Sequence, residues 1–368
     1  MKKILKGVWI IICCVIILVY LLSCFTPYIP PEKFSFTSLF AILFPYLFIV
    51  TSFCCITVFF IQKKVAMVLA LVIILAGLKN IGNSVAFNVS KWNMPKSSNA
   101  LRVMTWNCED FINSFPQNLA QAEPRVKMLN ALHLYSPDIL CLQEFKDIEN
   151  ASFFISVKRE LDSLGYIYSF ISNDSVVHYK RAVVTTGSAI FSRIPLTDSG
   201  RINISNTELN ENLLYGDIRL NNQPIRIFTA HLRSYSLYAD TTNEPGNIYE
   251  MTYKRKHNVE YKIRETEIVH EKEVAIIRNV IAKSPYPVIY CGDINSTPAS
   301  YTYNTLKTNL QDAFLEKGSG IGVTFYKLLY TLRIDVCLPD KKLKVLQCTV
   351  PQLYLSDHFP VVADVSWK

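Results

Sequence analysis

Near the C-terminus Asp357 and His358 stand side by side, and an apolar run, Phe359 to Val362, follows them directly. A carboxylate beside an imidazole favours the charged ring near neutral pH, which suits charge stabilisation or proton transfer. Three similar polar islands close earlier apolar runs: Trp106 and Asn107, Gln143 and Glu144, and Asp293 with Asn295. His231 ends another such run and Asp335 lies inside one more. The chemical inventory is therefore Asn107, Glu144, His231, Asp293, Asn295, Asp335, Asp357 and His358. Hard oxygen donors such as Glu144 and Asp357 suit Mg²⁺ or Mn²⁺, whereas zinc would favour more His or Cys convergence.

Strands are the elements that must position these groups. Short runs rich in Val, Ile, Phe and Tyr recur at residues 102–107, 139–143, 166–171, 183–191, 214–220, 225–231, 288–291, 334–338, 345–350 and 361–365. Their length and composition predict strands. Helical spacing of apolar residues appears over 124–135, 151–164 and 259–283, so helices are expected to cover sheets. Residues 234–257, rich in Tyr, Asn and Thr, read as a loop insertion of a length that tends to be functional or mobile.

Each chemical residue has a plainer reading. Asn107 can be an ordinary strand-end Asn, and Asp293 with Asn295 can form a turn through their own backbone. Asp335, between Ile334 and Val336, needs a partner in an apolar strand, and His358 is the candidate. Glu109 and Asp110 read as solvated loop acids rather than as acids that support the site from behind its ligands, and His133, His178, His257 and His270 as surface or structural histidines.

The first ninety residues obey different physics. Gly7 to Phe25 and Ser38 to Ile61 are apolar or weakly polar throughout and meet the ~20-residue length of a membrane span. Val65 to Leu78 is shorter, and completing a third span takes in Lys79 to Phe87. A cleaved signal peptide fits less well, because the first run is long and shows no clear small-residue cleavage site. Lys2, Lys3, Lys6, Lys63 and Lys64 belong on the cytoplasmic side by the positive-inside rule. Three crossings then place the remainder on the extracytoplasmic side, the periplasm of a Gram-negative cell. The expected organisation is a membrane region over 1–90 with two or three transmembrane helices, a linker over 91–100, and one soluble domain over 101–368.

The net charge of +8 belongs to that topology. Residues 1–97 hold nine of the 38 bases and one of the 30 acids, so 29 of each remain. A neutral soluble domain gives no support to a broadly basic face that tracks a phosphate backbone. Its five cysteines, Cys108, Cys141, Cys291, Cys337 and Cys348, are odd in number and mostly embedded in apolar runs, which predicts buried thiols.

The order of the islands carries a resemblance. Thr105-Trp106-Asn107, Pro137 to Glu144, Thr229-Ala230-His231-Leu232, Gly292-Asp293-Ile294-Asn295, Arg333-Ile334-Asp335 and Ser356-Asp357-His358 resemble the motif series of the endonuclease/exonuclease/phosphatase superfamily. The resemblance covers residue 101 to the end. It implies an α/β fold, a four-layered sandwich of two mixed sheets flanked by helices, here preceded by transmembrane helices. It also implies a Mg²⁺-dependent (or Mn²⁺-dependent) phosphoesterase. By motif, Glu144 is the principal metal ligand with Asn107 and Asp357 nearby; Asp293 orients or deprotonates water, Asn295 holds the phosphate, His231 contacts it, and His358, oriented by Asp335, stabilises its charge. Relatives with this site act on nucleic acid, lipid head groups or soluble phosphate esters. The expected partners are such a substrate and the bilayer, with no protein partner evident; the alternatives are a nuclease acting on DNA or RNA, and a binding or sensor protein that kept the fold.

Overall fold

A computed structural model describes every residue except 1, 35, 90–91, 112–118, 151–155, 180, 206–210, 236–258 and 329. Most of the expected loop over 234–257, and the start of the expected helix over 151–164, lie outside the described residues. Three helices open the chain: α1 (Lys2–Ser23), α2 (Thr37–Phe59) and α3 (Lys63–Ser84). There follow β1 (Ala86–Phe87), β2 (Leu101–Asn107), α4 (Leu119–Tyr135), β3 (Ile139–Glu149), α5 (Val157–Ser163), β4 (Tyr168–Ile171), β5 (Ser175–Tyr179), β6 (Ala182–Ser192), β7 (Asp198–Asn203), β8 (Asn212–Leu220) and β9 (Gln223–His231). The remainder is α6 (Val259–Ala282), β10 (Val288–Asp293), α7 (Tyr301–Leu306), α8 (Ala313–Lys317), β11 (Ser319–Gly320), β12 (Asp335–Pro339), β13 (Leu343–Thr349) and β14 (Val361–Trp367).

The chain forms two compact units. The first holds residues 1–84, 234–271 and 296–305. Its three opening helices are each long and apolar enough to cross a membrane, and the third runs unbroken through Lys79 to Ser84. Tyr20, Cys24, Phe44, Cys54, Val58 and Ile73 pack into its apolar cluster.

The second unit holds residues 85–233, 272–295 and 306–368. Two mixed sheets face each other, one ordered β12-β10-β9-β8-β7 and the other β13-β14-β2-β3-β6-β4, with β5 also on β6. Strand parity builds the layers, since alternate side chains take opposite faces. Leu101, Val103, Ile139 and Cys141 of one sheet meet Ile225, Ile227, Ile289 and Cys291 of the other in one buried cluster. Each such aliphatic side chain contributes roughly 1.5–3 kcal/mol when fully buried. The intervening Met104, Trp106, Leu140 and Leu142 turn outward and pack with Met128 and Leu132 of α4. On the opposite side Tyr290 lies beside Glu273 of α6. This is the expected four-layered sandwich.

Candidate active site

The parity that builds the core also assembles the site. Asn107, His231, Asp293 and Asp335 share the inward face with Val103, Ile227, Cys291 and Cys337, and each ends or begins its strand. The register sets Asp293 beside His231 on the parallel strand β9 and beside Asp335 on the antiparallel strand β12. Asn107 is paired with Gln143 across β2 and β3. Gln143 then bridges the two sheets: its Nε2 donates to Thr229 Oγ1 at 2.9 Å, and its Oε1 accepts from Thr105 Oγ1 at 3.2 Å.

Glu144 departs from the alternation. The β3–β6 register shifts between Leu142 and Phe145, and Glu144 takes a left-handed φ of 49°. A bulge inserts one residue and re-aims its side chain, a device common beside functional sites. Here it brings Glu144 Oε1 to 3.2 Å from Asn107 Nδ2, which also donates to Asp293 Oδ2 at 3.1 Å. Gly292 is required by close approach: a Cβ there would sit 2.1 Å from Ala230 O.

Ser356 fastens the last motif. Its Oγ donates to Asn107 O at 2.7 Å and accepts from His358 N at 3.1 Å, while Trp106 Nε1 donates to His358 O. His358 Nδ1 lies 2.8 Å from Asp335 Oδ2, and its Nε2 faces Asp293 Oδ2 at 3.7 Å and Asp357 Oδ1 at 4.0 Å. Thr324 Oγ1 holds the start of β12 by accepting from the N–H groups of Ile334 and Asp335. His231 Nε2 lies 3.7 Å from Asp293 Oδ2 and 3.8 Å from Glu144 Oε1. Asn295, also left-handed at φ 46°, donates from Nδ2 to Leu232 O at 2.9 Å and sits 3.0 Å from His231 Nε2. Its backbone N–H donates to Asp293 Oδ1. All eight residues singled out in the sequence thus gather at one end of the sandwich, where strand ends of both sheets meet.

Electrostatics divide that end in two. The deep half is Asp293, Asp335 and His358, whose ligand-type atoms lie within 4.8 Å of one another. Burial would lower the His358 pKa, but Asp335, then Asp293 and Asp357, raise it to about 10, so the ring is an imidazolium at neutral pH. Burial pushes Asp293 up to about 6, and Asp335 adds to this against the pull of the two histidines. A protonated ring offers no lone pair to a metal, so at neutral pH this trio is a buried cation between two carboxyl groups.

The outer half is Glu144, 40% exposed, and Asp357, 27% exposed, with Glu109. Glu109 Oε2 accepts from Asp357 N at 3.0 Å. Burial raises the pKa of Glu109 and repulsion from Asp357 raises it further; burial raises that of Asp357, with Glu144 adding to it and His358 opposing. Mutually repelling oxygen donors at an open rim are what a hard divalent cation relieves. Glu109 therefore belongs with the site and not with the solvated loop acids. The signal was its place two residues after Asn107. Gln143 and Ser356 stood in the motif series without an assigned part, and Thr324 is a further residue that the sequence did not disclose.

The comparisons agree with this geometry. Residues 104–358 match the model of the endonuclease/exonuclease/phosphatase family, and residues 2–84 match a domain of unknown function (DUF8431). No curated protein matches the chain. Among solved structures, an endonuclease/exonuclease/phosphatase from Beutenbergia cavernae is 18% identical, with a TM-score of 0.52, over 73% of this chain and 72% of that one. The human nocturnin catalytic domain with bound sulfate is 21% identical, with a TM-score of 0.51, over 74% of this chain and 97% of that one. A family protein from Bacteroides thetaiotaomicron is 14% identical, with a TM-score of 0.52, over 73% and 98%. At these identities the structures speak for the fold, and the family model spans more than half of the chain. The chain belongs to the endonuclease/exonuclease/phosphatase family.

Proposed function

We propose that this protein is a membrane-anchored, divalent-metal-dependent phosphoesterase that hydrolyses a phosphodiester or phosphomonoester by water attack. The observation that carries the reading is that one end of the sandwich sets a buried His358, 2.8 Å from Asp335 and 3.7 Å from Asp293, beside an open rim of Glu144, Asp357 and Glu109. Glu144 and Asp357, with Asn107 and Glu109 alongside, would hold Mg²⁺ or Mn²⁺, which supplies Lewis-acid stabilisation of phosphoryl oxygens.

The chain's own groups supply the rest. Asp293, raised to about 6, is a stronger base than an ordinary aspartate yet still ionised at neutral pH, so it suits taking a proton from the attacking water. His358 presents Nε2 as a fixed positive charge where the transition state gains negative charge, with Asp335 fixing the ring through Nδ1. Asn295, whose Nδ2 donates to Leu232 O and lies 3.0 Å from His231 Nε2, would set the His231 ring beside a bound phosphate. No covalent nucleophile is required.

The placement is part of the proposal. Lys6 opens the first span, and Lys63 and Lys64 start α3, so the basic residues gather at the ends of the helices that face the cytoplasm by the positive-inside rule. The catalytic residues would then work on the extracytoplasmic side. The test is hydrolysis of a chromogenic phosphodiester by the full chain in detergent, with Mg²⁺, Mn²⁺ or chelator. Metal-dependent turnover is expected, and its absence across a broad metal screen would overturn the reading.

A further inference from the structure

The second unit carries Cys108, Cys141, Cys291, Cys337 and Cys348, all buried free thiols. Cys141, Cys291, Cys337 and Cys348 lie in the cluster between the two sheets. Cys291 and Cys337 differ from the others in standing directly opposite one another on neighbouring antiparallel strands, β10 and β12.

The hydrogen bonds at the two ends of this ladder fix which kind of pair they are. Opposed residues in an antiparallel ladder alternate between pairs that exchange N–H···O=C bonds and pairs that do not, and in the second kind the side chains come closer, with Cα atoms about 4.5 Å apart. Ile294 N donates to Ile334 O at 2.9 Å at one end, and Asp340 N donates to Val288 O at 2.8 Å at the other. Counting inward by two from either end makes Gly292 and Tyr290 bonded positions and Cys291 with Cys337 a non-bonded pair. Pro339, which has no N–H to give, faces Ile289 at the next non-bonded position. The Cys291 thiol is also within hydrogen-bond reach of the Cys337 thiol. A disulfide takes Cα atoms about 4.4–6.8 Å apart, so this pair meets the span. The Cys141 thiol reaches that of Cys291 too, but Cys141 and Cys348 belong to the facing sheet, and packed sheets lie about 10 Å apart.

We propose that Cys291 and Cys337 are a disulfide-forming pair, which closes as the chain folds in an oxidising compartment and ties the edge strand β12 to β10. The oxidant is a small-molecule or protein disulfide. One cysteine thiolate attacks it and releases a first thiol, and the other attacks the resulting mixed disulfide and releases a second. Two protein thiols are thus oxidised to one disulfide, the reagent disulfide is reduced to two thiols, and the two protons pass to the leaving thiolates. Both side chains are buried in the finished fold, at 0% and 2% exposure, so the exchange belongs to folding. β12 is the last strand of its sheet. Asp293 and Asp335 are the next non-bonded pair on the same two strands, so the bond lies beside the residues that open the site. The pair itself does not depend on the phosphoesterase reading; the oxidising compartment rests on the extracytoplasmic placement proposed above.

The experiment synthesises the full chain cell-free into detergent, once in a buffer of glutathione and glutathione disulfide and once in dithiothreitol. Free thiols are capped with N-ethylmaleimide in denaturant, and the protein is digested without reductant for mass spectrometry. In the glutathione buffer Cys291 and Cys337 should appear in one linked species, two hydrogen atoms lighter than its separate peptides, while Cys108, Cys141 and Cys348 carry the cap. That protein should melt roughly 4–16 °C above the one made in dithiothreitol, and Cys291→Ala with Cys337→Ala should melt alike from both buffers. Capped Cys291 and Cys337 from the glutathione buffer, a link from either to another cysteine, or a linked wild type that melts with the reduced one would each overturn the inference. A link that forms cell-free but is missing from membranes of capped, intact cells would uphold the pair and overturn the extracytoplasmic placement instead.

Discussion

Replacing Asp335 with Asn keeps the side chain's shape and removes the charge that faces His358. The two groups lie 2.8 Å apart, with side chains 6% and 0% exposed, so water screens the pair very little. Burial opposes the charged ring, yet Asp335, followed by Asp293 and Asp357, carries its pKa from 6.5 to about 10. At about 1.4 kcal/mol per pH unit, that displacement sets a ceiling of about 5 kcal/mol on the preference for the imidazolium. Asp335 is the first of three anions, and removing one partner of a buried pair costs about 3–5 kcal/mol. Because folding raises this pKa, the stabilisation is complete below 6.5 and is lost as the pH rises through about 10. Wild-type stability should therefore decline between about pH 7 and about pH 10. Asp335→Asn should start lower and stay nearly flat across that window. Thermal unfolding of the full chain in detergent reads this directly, and at about 2–4 °C per kcal/mol the variant should melt roughly 6–20 °C lower at neutral pH. A variant that melts with the wild type, or declines in parallel with it toward alkaline pH, would refute the pairing.

Other outcomes follow from the same geometry. The rate of hydrolysis should rise with pH as Asp293 ionises, near its raised value of about 6 or lower once a cation shares the site, and fall as His358 loses its proton near about 10; Asp335→Asn should move the alkaline limb down in a pH–rate profile. Glu109→Gln should raise the metal concentration for half-maximal rate about tenfold with little change in kcat, seen in a Mg²⁺ titration. Gly292→Ala should cost more than about 3 kcal/mol or prevent folding, because its Cβ would meet backbone 2.1 Å away, checked by melting temperature and yield. A periplasm-active reporter fused after residue 97 should be active, and a reporter active only in the cytoplasm would reverse the topology.

The strand ends were legible in the sequence. Apolar runs put Asn107, His231 and Asp293 at their ends, and a charge between Ile334 and Val336 demanded the partner that His358 provides. The bulge at Glu144 was not, since a one-residue register shift depends on the partner strand β6. Strands β5 and β7 also escaped notice. Residues 175–179 and 198–203 lack sustained apolar alternation, and their pairing partners supply the order their composition does not. The helix α3 continues through Lys79 and Asn80 because Asn80 Nδ2 finds Ser23 O, a partner 57 residues away. Glu109 read as a loop acid because its proximity to Asp357 is a contact across 248 residues. Cys108, Cys141, Cys291, Cys337 and Cys348 are free buried thiols, as apolar flanks imply.

The central claim is that the end of the sandwich where Glu144, Asp293 and His358 meet is a metal-dependent phosphoesterase site. Its most direct test is kcat/KM of the full chain on bis(p-nitrophenyl) phosphate in Mg²⁺ or Mn²⁺, beside Glu144→Ala and His231→Ala. The account predicts turnover abolished by chelator and lowered about 100-fold or more by either substitution. Hydrolysis that neither chelator nor substitution changes would contradict it.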